Sequence, residues 1–332
     1  MVRSLKGMTM ICRFFQIALL LAPAAFAGAA AAQAWPTAKP IRIEIGFGPG
    51  SASDIFARLI AESLQKGLGQ VVLVEGKPGA NGQIAAEYVA KSPADGYTLF
   101  LTTNTTHSAN PYLYKKLSYD PIKDFTPISR VSYFPFLLLV DSKLPIQNVQ
   151  ELIAYAKNNP QAISYAYSSS TGQVAAAALS NSTKMGAVGV AYKSAPEALT
   201  SVVGGQVTFA VVDVATSQSL VKSGRLRALA VTPQTRSALA PTLPTIGEAS
   251  GLKDFGVIAW LGLFGPVNLP QPVVERLNAV VQKIVAAKEF QDKISAMGSE
   301  PAYAGPEEFQ RFVKTELGVW ERQIKLAGMK AE

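Results

Sequence analysis

Histidine and cysteine are nearly absent from this chain of 332 residues, which contains one of each. Cys12 precedes an apolar N-terminal run, so the remainder of the chain has neither a disulfide nor thiolate chemistry. His107 is the one residue that could act as the base in a Ser–His–Asp or Cys–His mechanism. Cysteine and histidine also lack any zinc-binding spacing. The composition therefore argues against nucleophilic catalysis, and we predict no cofactor and no metal site.

Two phosphate-binding signatures are missing as well. The glycines of Gly46-x-Gly48-x-Gly50 do not have the G-x-G-x-x-G spacing of a dinucleotide loop, and no G-x-x-x-x-G-K-[ST] sequence occurs. The net charge is +8, but the basic residues are scattered and form no dense stripe. We therefore predict neither nucleotide nor nucleic-acid binding.

A secretory signal peptide is predicted over residues 1–34. It has a basic start, an apolar run at 14–25 and an Ala32-Gln33-Ala34 cleavage site. The alternative is an uncleaved membrane anchor, but Pro23 interrupts the run and a spanning helix needs about 20 apolar residues. We expect cleavage before Trp35 and a periplasmic location.

Strands and helices then alternate. We predict strands at residues 41–47, 71–75 and 97–102, with helices at 54–66 and 82–91 between them. This βαβαβ order implies a parallel sheet with right-handed crossovers.

A second α/β unit begins after Pro135. Its predicted strands are 136–140, 163–167, 188–192, 207–212 and 226–232, with helices at 149–158, from 173 onward and at 196–203. A later strand at 257–264 and two helices, 272–287 and 306–326, could pack back on the first sheet. The predicted fold is α/β with two lobes, each a mainly parallel sheet flanked by helices, and two crossing strands form the hinge. Lobe 1 comprises residues 35–137 plus 256–332, and lobe 2 comprises 138–255.

The loop between the first strand and the first helix suits an anion. Its glycines let the backbone approach a ligand closely, and the helix N-terminus presents unpaired N–H groups. Ser51 and Ser53 can donate hydroxyl hydrogen bonds to a carboxylate. Ser51-x-x-Asp54 also resembles a capping box, so Ser51 and Asp54 are equally open to a purely structural interpretation.

Polar residues follow other predicted strands in the same way. Residues 168–172, Ser-Ser-Ser-Thr-Gly, precede a helix and repeat the anion-receptive arrangement, although a simple turn is the alternative. Tyr192 and Asp213 lie at strand ends, where open α/β sheets bind their ligands. His107 lies in the polar segment 102–110, where it could donate to a ligand or stabilise the loop.

Several short motifs in this order resemble the Bug family, the solute receptors of tripartite tricarboxylate transporters. The resemblance covers nearly all of the chain after residue 34. It rests on Trp35-Pro-x-x-Lys-Pro-Ile-Arg42, Gly48-Pro-Gly-x-x-x-Asp54, Val74-Glu-Gly-Lys-Pro-Gly-Ala-Asn-Gly82, Pro93-Ala-Asp-Gly-Tyr-Thr-Leu99, Asn110-Pro-Tyr-Leu-Tyr114, Tyr119-Asp-Pro-x-Lys-Asp-Phe125, Gly224-Arg-Leu-Arg-Ala-Leu-Ala-Val231 and Leu243-Pro-Thr-Ile-Gly-Glu248.

The resemblance implies a Venus-flytrap periplasmic binding protein that closes on a small carboxylate and then docks on a membrane permease. It implies that backbone groups and ordered water hold much of the ligand. The candidate ligand-binding residues are Phe47, Gly48, Gly50, Ser51, Ala52, Ser53, Asp54, Thr103, Asn104, Thr106, His107, Ser169, Ser170, Thr171, Gly172, Tyr192 and Asp213. Family members often have Gly-Gly where this chain has Gly50-Ser51, so we predict that Ser51 alters ligand selectivity.

Three functional hypotheses follow. The favoured one is a monomeric periplasmic carboxylate receptor that works by hinge closure and serves a tripartite tricarboxylate-type permease. A sensory receptor that passes its closed form to a membrane kinase would have the same fold. An α/β hydrolase is disfavoured by the lone histidine, and turnover of an ester or amide that is lost in Ser170→Ala would support it.

Overall fold

A computed structural model describes residues 35–160, 162–237 and 240–331. The predicted signal peptide, 1–34, lies outside these ranges. Residues from Lys39 onward form one compact unit. Among the described residues, no helix is both long enough and apolar enough to cross a membrane.

Eleven strands are present in the described residues. In chain order they are β1 (Ile41–Ile45), β2 (Val72–Gly76), β3 (Thr98–Thr103), β4 (Phe125–Phe134), β5 (Phe136–Asp141), β6 (Ser164–Tyr167), β7 (Val188–Ala191), β8 (Phe209–Asp213), β9 (Leu226–Val231), β10 (Ala259–Pro266) and β11 (Glu300–Ala304).

Eleven α-helices accompany these strands in the same residues. They are α1 (Ala52–Leu68), α2 (Gln83–Ala90), α3 (Asn110–Leu113), α4 (Val149–Asn158), α5 (Ser170–Ser182), α6 (Ala195–Val203), α7 (Val214–Lys222), α8 (Ile246–Ser250), α9 (Gln271–Ala286), α10 (Lys288–Ala296) and α11 (Pro306–Leu326). A 3-10 turn at Ala80–Gly82 precedes α2, and a π-helix at Thr105–Ala109 follows β3.

The first sheet has six strands in the order β11-β4-β10-β3-β1-β2. Strand β1 is parallel to β2 and to β3, which confirms the predicted βαβαβ unit. Strand β10 runs antiparallel between β3 and β4, and β11 is antiparallel to β4. Helices α9 and α11 pack against β4, as expected for late elements that return to the first sheet.

The second sheet has five strands in the order β7-β6-β8-β5-β9. Strand β6 is parallel to β7 and β8, whereas β5 is antiparallel to β8 and β9. Two helix-flanked sheets confirm the predicted α/β fold class, but both sheets are mixed, which corrects the expectation that they are mainly parallel.

Strands that enter one sheet from the other give both sheets their mixed direction. Strand β4 ends at Phe134 in the first sheet and β5 begins at Phe136 in the second, with Pro135 between them. Strand β5 therefore enters the second sheet without a crossover helix and runs antiparallel to β8 and β9. In the same way β10, which returns from the second sheet to the first, runs antiparallel to β3 and β4. The prediction also omitted β4, which accommodates Pro127 next to a register shift opposite Phe264.

Aromatic side chains dominate the core on one face of the first sheet. Trp260 and Phe264 of β10 pack against Phe309 of α11, with ring centroids 5.5 Å and 4.8 Å apart. Such rings bury large apolar areas and fix the position of α11 on the sheet. The face of α11 that packs on the sheet is apolar, with Phe309, Val313 and Trp320 buried.

Candidate functional site

The N-terminus of α1 is fixed by a reciprocal cap. The Asp54 N–H donates to Ser51 Oγ at 3.3 Å, and the Gly50 N–H donates to Asp54 Oδ2 at 2.9 Å. Gly50 has φ +74°, a conformation that suits glycine. Among the described residues, nothing accepts a hydrogen bond from the N–H groups of Ala52 and Ser53, the first two residues of the helix.

The N-terminus of α5 is built in the same way in the second sheet. Ser169 Oγ accepts from the Gly172 N–H at 3.4 Å. Gly172 lies against the carbonyl oxygen of Val211, where a Cβ would collide. The N–H of Thr171 has no acceptor in the part of the chain that the structure describes.

Two further helices begin close by. Ser194 caps α6, and its Oγ accepts from the Glu197 N–H at 3.4 Å. The N–H of Ala195, the first residue of this helix, has no acceptor among the described residues. Asp213 caps α7, and its Oδ1 accepts from the Thr216 N–H at 2.8 Å. A short polar residue precedes each of these helices. Its side-chain oxygen accepts a hydrogen bond from an N–H of the first helical turn that has no acceptor within the helix.

These four helix N-termini meet at one small cavity of about 30 Å³ between the two sheets. Ser51, Ala52 and Ser53 of the α1 end face Thr171, Ala195 and Asp213 across it, and apolar walls come from Phe47, Phe134, Phe136 and Ala259. N–H groups without an acceptor in the described part of the chain, together with the positive ends of four helix dipoles, favour an anion at this point. The arrangement can bind a small anion without any basic side chain.

Asp213 is the one ionisable residue among those that line the cavity. It is 4% exposed, and burial raises the pKa of its carboxyl group, against the lowering effect of the hydrogen bonds from Thr216. A neutral Asp213 can donate a hydrogen bond to an anion, whereas an ionised one would repel it.

The structure gathers eight of the predicted site residues in the cavity wall. They are Phe47, Ser51, Ala52, Ser53, Thr103, Ser169, Thr171 and Asp213. Their part in ligand binding stays a prediction.

Four other candidate ligand-binding residues make contacts next to the cavity but do not line it. Asp54 accepts from Gly50 and pairs with Arg58 Nη2 at 2.8 Å, so its carboxylate is used within the cap. Gly48 packs against Ser194, where a Cβ would lie 3.1 Å from the serine Cβ. Gly50 and Gly172 hold the two cap turns as described above.

Asn104 and Ser170 connect the two sheets. Asn104 Nδ2 donates to Thr171 Oγ1 at 2.8 Å, and Ser170 Oγ donates to Asn110 Oδ1 at 3.0 Å. All four side chains are 0 or 1% exposed. These hydrogen bonds position the N-terminus of α5 against the π-helix, because a buried polar group without a partner is costly.

His107 lies in the aromatic core. Its ring is 4.1 Å from the Phe264 ring and 4.7 Å from the Phe125 ring, and Nδ1 is 2.9 Å from Thr106 Oγ1. Nε2 has no partner among the described residues. Burial lowers the pKa of His107 to about 3. Thr106 and His107 therefore support the segment behind the cavity. Tyr192 does not line the cavity and lies beside Tyr167 and Lys193, near the turn at residues 79–82.

His107 is expected to make the protein acid-sensitive. Its pKa is depressed on folding, so below pH 6.5 the unfolded chain takes up a proton that the native state excludes, and stability is lost as pH falls toward 3. At pH 5 the loss is about 2 kcal/mol. We expect His107→Phe to have a flatter melting temperature between pH 7 and 5 than the unmodified protein. Equal slopes for the two proteins would contradict this assignment.

Comparison with known families settles what kind of protein carries this site. A model of the tripartite tricarboxylate transporter family receptor matches residues 56–329. The chain belongs to this family. Its resemblance to the Bug receptors is thereby confirmed, and since the family is one of solute-binding receptors, so is the prediction that the protein is not an enzyme.

Similar sequences and solved structures are consistent with this family assignment. A UPF0065 protein of Bordetella bronchiseptica is 35% identical over 94% of this chain and 93% of its own length. A structure of an R. palustris protein with adipate is 34% identical, with a TM-score of 0.85, covering 90% of this chain and 100% of that one. The periplasmic binding protein BugD is 32% identical, with a TM-score of 0.83 and coverages of 89% and 99%. MatC from Rhodopseudomonas palustris, with bound malate, is 28% identical, with a TM-score of 0.80 and coverages of 87% and 99%.

Sequence reasoning missed six residues that line the cavity of this family member: Thr105, Phe134, Phe136, Ser168, Ala195 and Ala259. Ser168 and Thr105 lie within polar segments that the analysis did single out. Phe134 and Phe136 flank Pro135, and this break between two apolar runs is the available signal. Ala195 and Ala259 are small residues that contribute backbone groups and leave room in the cavity. A single sequence contains no pattern that identifies such residues.

Proposed function

We propose that this protein is a periplasmic receptor that binds a small organic carboxylate in the cavity between its two sheets. The observation that carries the proposal is that Ala52, Ser53, Thr171 and Ala195, whose N–H groups have no acceptor among the described residues, all line one cavity. The adipate and malate in the two R. palustris structures are carboxylates, which supports the same class of ligand here.

The remaining parts of the proposal concern processing and partners. Residues 1–34 are removed on export, and the mature chain is a monomer with lobes at 35–137 plus 256–332 and at 138–255. The closed, loaded receptor delivers its ligand to a permease of the tripartite tricarboxylate type, as the name of its family suggests. Uptake of labelled ligand by cells that carry such a permease should require this receptor, and uptake that is unchanged without it would overturn the delivery step.

A thermal-shift screen over carboxylic acids and their amides tests ligand binding. A ligand at about 100 times its Kd stabilises a protein by about 2.7 kcal/mol, which for a chain of this length corresponds to a Tm rise of roughly 4 °C. We expect acids to raise the Tm and the matched neutral amides to do so much less, because amides lack the charge that the helix N-termini favour. Equal stabilisation by an acid and its amide would falsify the proposal.

A further inference from the structure

Two asparagines flank the π-helix that follows β3. Asn104 lies directly before this helix and Asn110 directly after it. Each makes a hydrogen bond to the first turn of α5 in the second-sheet region, Asn104 to Thr171 and Asn110 to Ser170. π-Helices are rare and are frequently found at functional sites. In this chain the two ends of the π-helix hold one helix N-terminus from the opposite side of the cavity.

Asn110 is oriented by the first-sheet region alone. Its Nδ2 group donates to the Asn81 carbonyl at 3.0 Å and to Tyr119 Oη at 3.3 Å, and Tyr119 Oη donates to the Thr106 carbonyl at 2.8 Å. Both hydrogens of the Nδ2 group are thereby used, and Oδ1 is the atom that faces the Ser170 hydroxyl. The first-sheet region therefore presents a preformed acceptor to α5.

The helix end that the asparagines hold is part of the cavity. Thr171 lines it, and Ala52 and Ser53 of α1 face Thr171 from the first-sheet side. An anion in a space of about 30 Å³ is contacted from both sides only while the two helix ends keep this separation. Asn104 and Ser170 are buried beside the cavity but do not line it. Their hydrogen bonds set the separation.

We propose that Asn104 and Asn110 form a latch with Thr171 and Ser170, and that this latch holds the two sheets together around the bound anion. The proposal rests on the proposed function, which places a carboxylate in the cavity. Both hydrogen bonds break when the sheets move apart, so the latch stabilises the closed form alone and tightens binding in proportion. Asn104 and Ser170 are positioning residues and do not touch the ligand.

Distances between two spin labels, one in each sheet region, measure the closed fraction. No cysteine follows Cys12, so the exported chain carries labels only where cysteine is introduced. Lys91→Cys after α2 and Thr200→Cys on α6 are suitable, because both residues are exposed and neither lines the cavity. Adipate and malate, the acids in the two R. palustris structures, are the probes. We expect a bound acid to shift the labelled protein toward one narrow distance.

Ser170→Ala should lower the closed fraction and weaken binding of either acid about tenfold. The closed form then loses one hydrogen bond and leaves Asn110 Oδ1 buried without a donor. Alanine is a strong helix former, so α5 should be kept. Asn104→Ala is an independent second variant and should act in the same direction. Ser129→Ala is the matched control, because Ser129 is also buried and donates to an asparagine, Asn278 Oδ1 at 2.8 Å, but within the first-sheet region.

The outcomes separate the two proposals. If no carboxylate raises the Tm, the proposed function fails, and the acid-free distances still test the latch: a shift in Ser170→Ala but not in Ser129→Ala supports it, and equal distances overturn it. If an acid binds and Ser170→Ala leaves both the distances and the affinity unchanged, the latch fails and the carboxylate cavity stands. Weaker binding with unchanged distances would mean that Ser170 contacts the ligand directly, which also overturns the latch.

Discussion

Replacing Ala52 by proline is expected to weaken carboxylate binding by about 10- to 100-fold while the Tm stays close to that of the unmodified protein. Ala52 is the first residue of α1, and its N–H has no acceptor among the described residues. Proline is well tolerated at this helical position because the N–H is not needed there. Ser51, with φ −72° and ψ 161°, already has the extended conformation that a following proline requires. The substitution therefore removes a donor from the cavity and keeps the helix.

The expected size follows from the loss of one hydrogen bond to a charged ligand, about 1.5–3 kcal/mol. The proline Cδ also occupies the place of the N–H, so an anion cannot approach as closely. Lys288→Pro is the matched control, because Lys288 is the first residue of α10, is exposed and does not line the cavity. Calorimetry with the tightest acid from the thermal screen, together with melting curves, measures both quantities. Unchanged affinity in Ala52→Pro would mean that the ligand is bound elsewhere.

Local sequence patterns predict the parts of this site that depend on local physics. An alternating apolar strand, a glycine turn and a capping serine specify the strand–loop–helix around Ser51, and residues 168–172 do so around Ser169. Both elements are found, although α1 and α5 begin at Ala52 and Ser170, two and three residues before the predicted starts, and both helix N-termini reach the cavity. Capping is short-range, so one chain segment carries all the necessary information.

The rest depends on contacts between distant segments. The sequence predicts His107 to be a residue of a polar loop. In the structure its ring is enclosed by Phe264 of β10 and Phe125 of β4. Nothing in the segment around His107 specifies these partners. The mixed direction of the sheets has the same origin, since β5 and β10 each enter a sheet from the other one and run antiparallel to their neighbours there. The sequence pattern predicts that strands exist more readily than it predicts their neighbours.

Asp213 is expected to make carboxylate binding weaken as pH rises, by up to about tenfold per pH unit. Burial already raises the pKa of this carboxyl group, and a bound anion disfavours its charged form further. Between the pKa of the free receptor and that of the complex, binding must take up a proton, and the affinity falls with increasing pH. Ligand carboxylates are themselves ionised above about pH 6 and do not contribute to this slope.

Asp213→Asn should bind the same acids with an affinity that is flat in pH and exceeds that of the unmodified protein at the alkaline end. Asparagine caps a helix about as well as aspartate, so it should keep the hydrogen bond from Thr216 and the N-terminus of α7. Asp141→Asn is the control, since Asp141 is also a buried acid at a strand end but lies away from the cavity. Titrations from pH 6 to 9 in buffers of different ionisation enthalpy measure both the affinity and the number of protons taken up.

Two results would contradict this role. Parallel pH profiles for Asp213→Asn and the unmodified protein would mean that Asp213 does not change its protonation on binding. Loss of binding in Asp213→Asn at every pH would mean that the ionised carboxylate pairs with a cationic group of the ligand, because only an attractive charge is then missing. The ligand would in that case carry a positive as well as a negative group, and the helix N-termini would bind its carboxylate while Asp213 selects its cation.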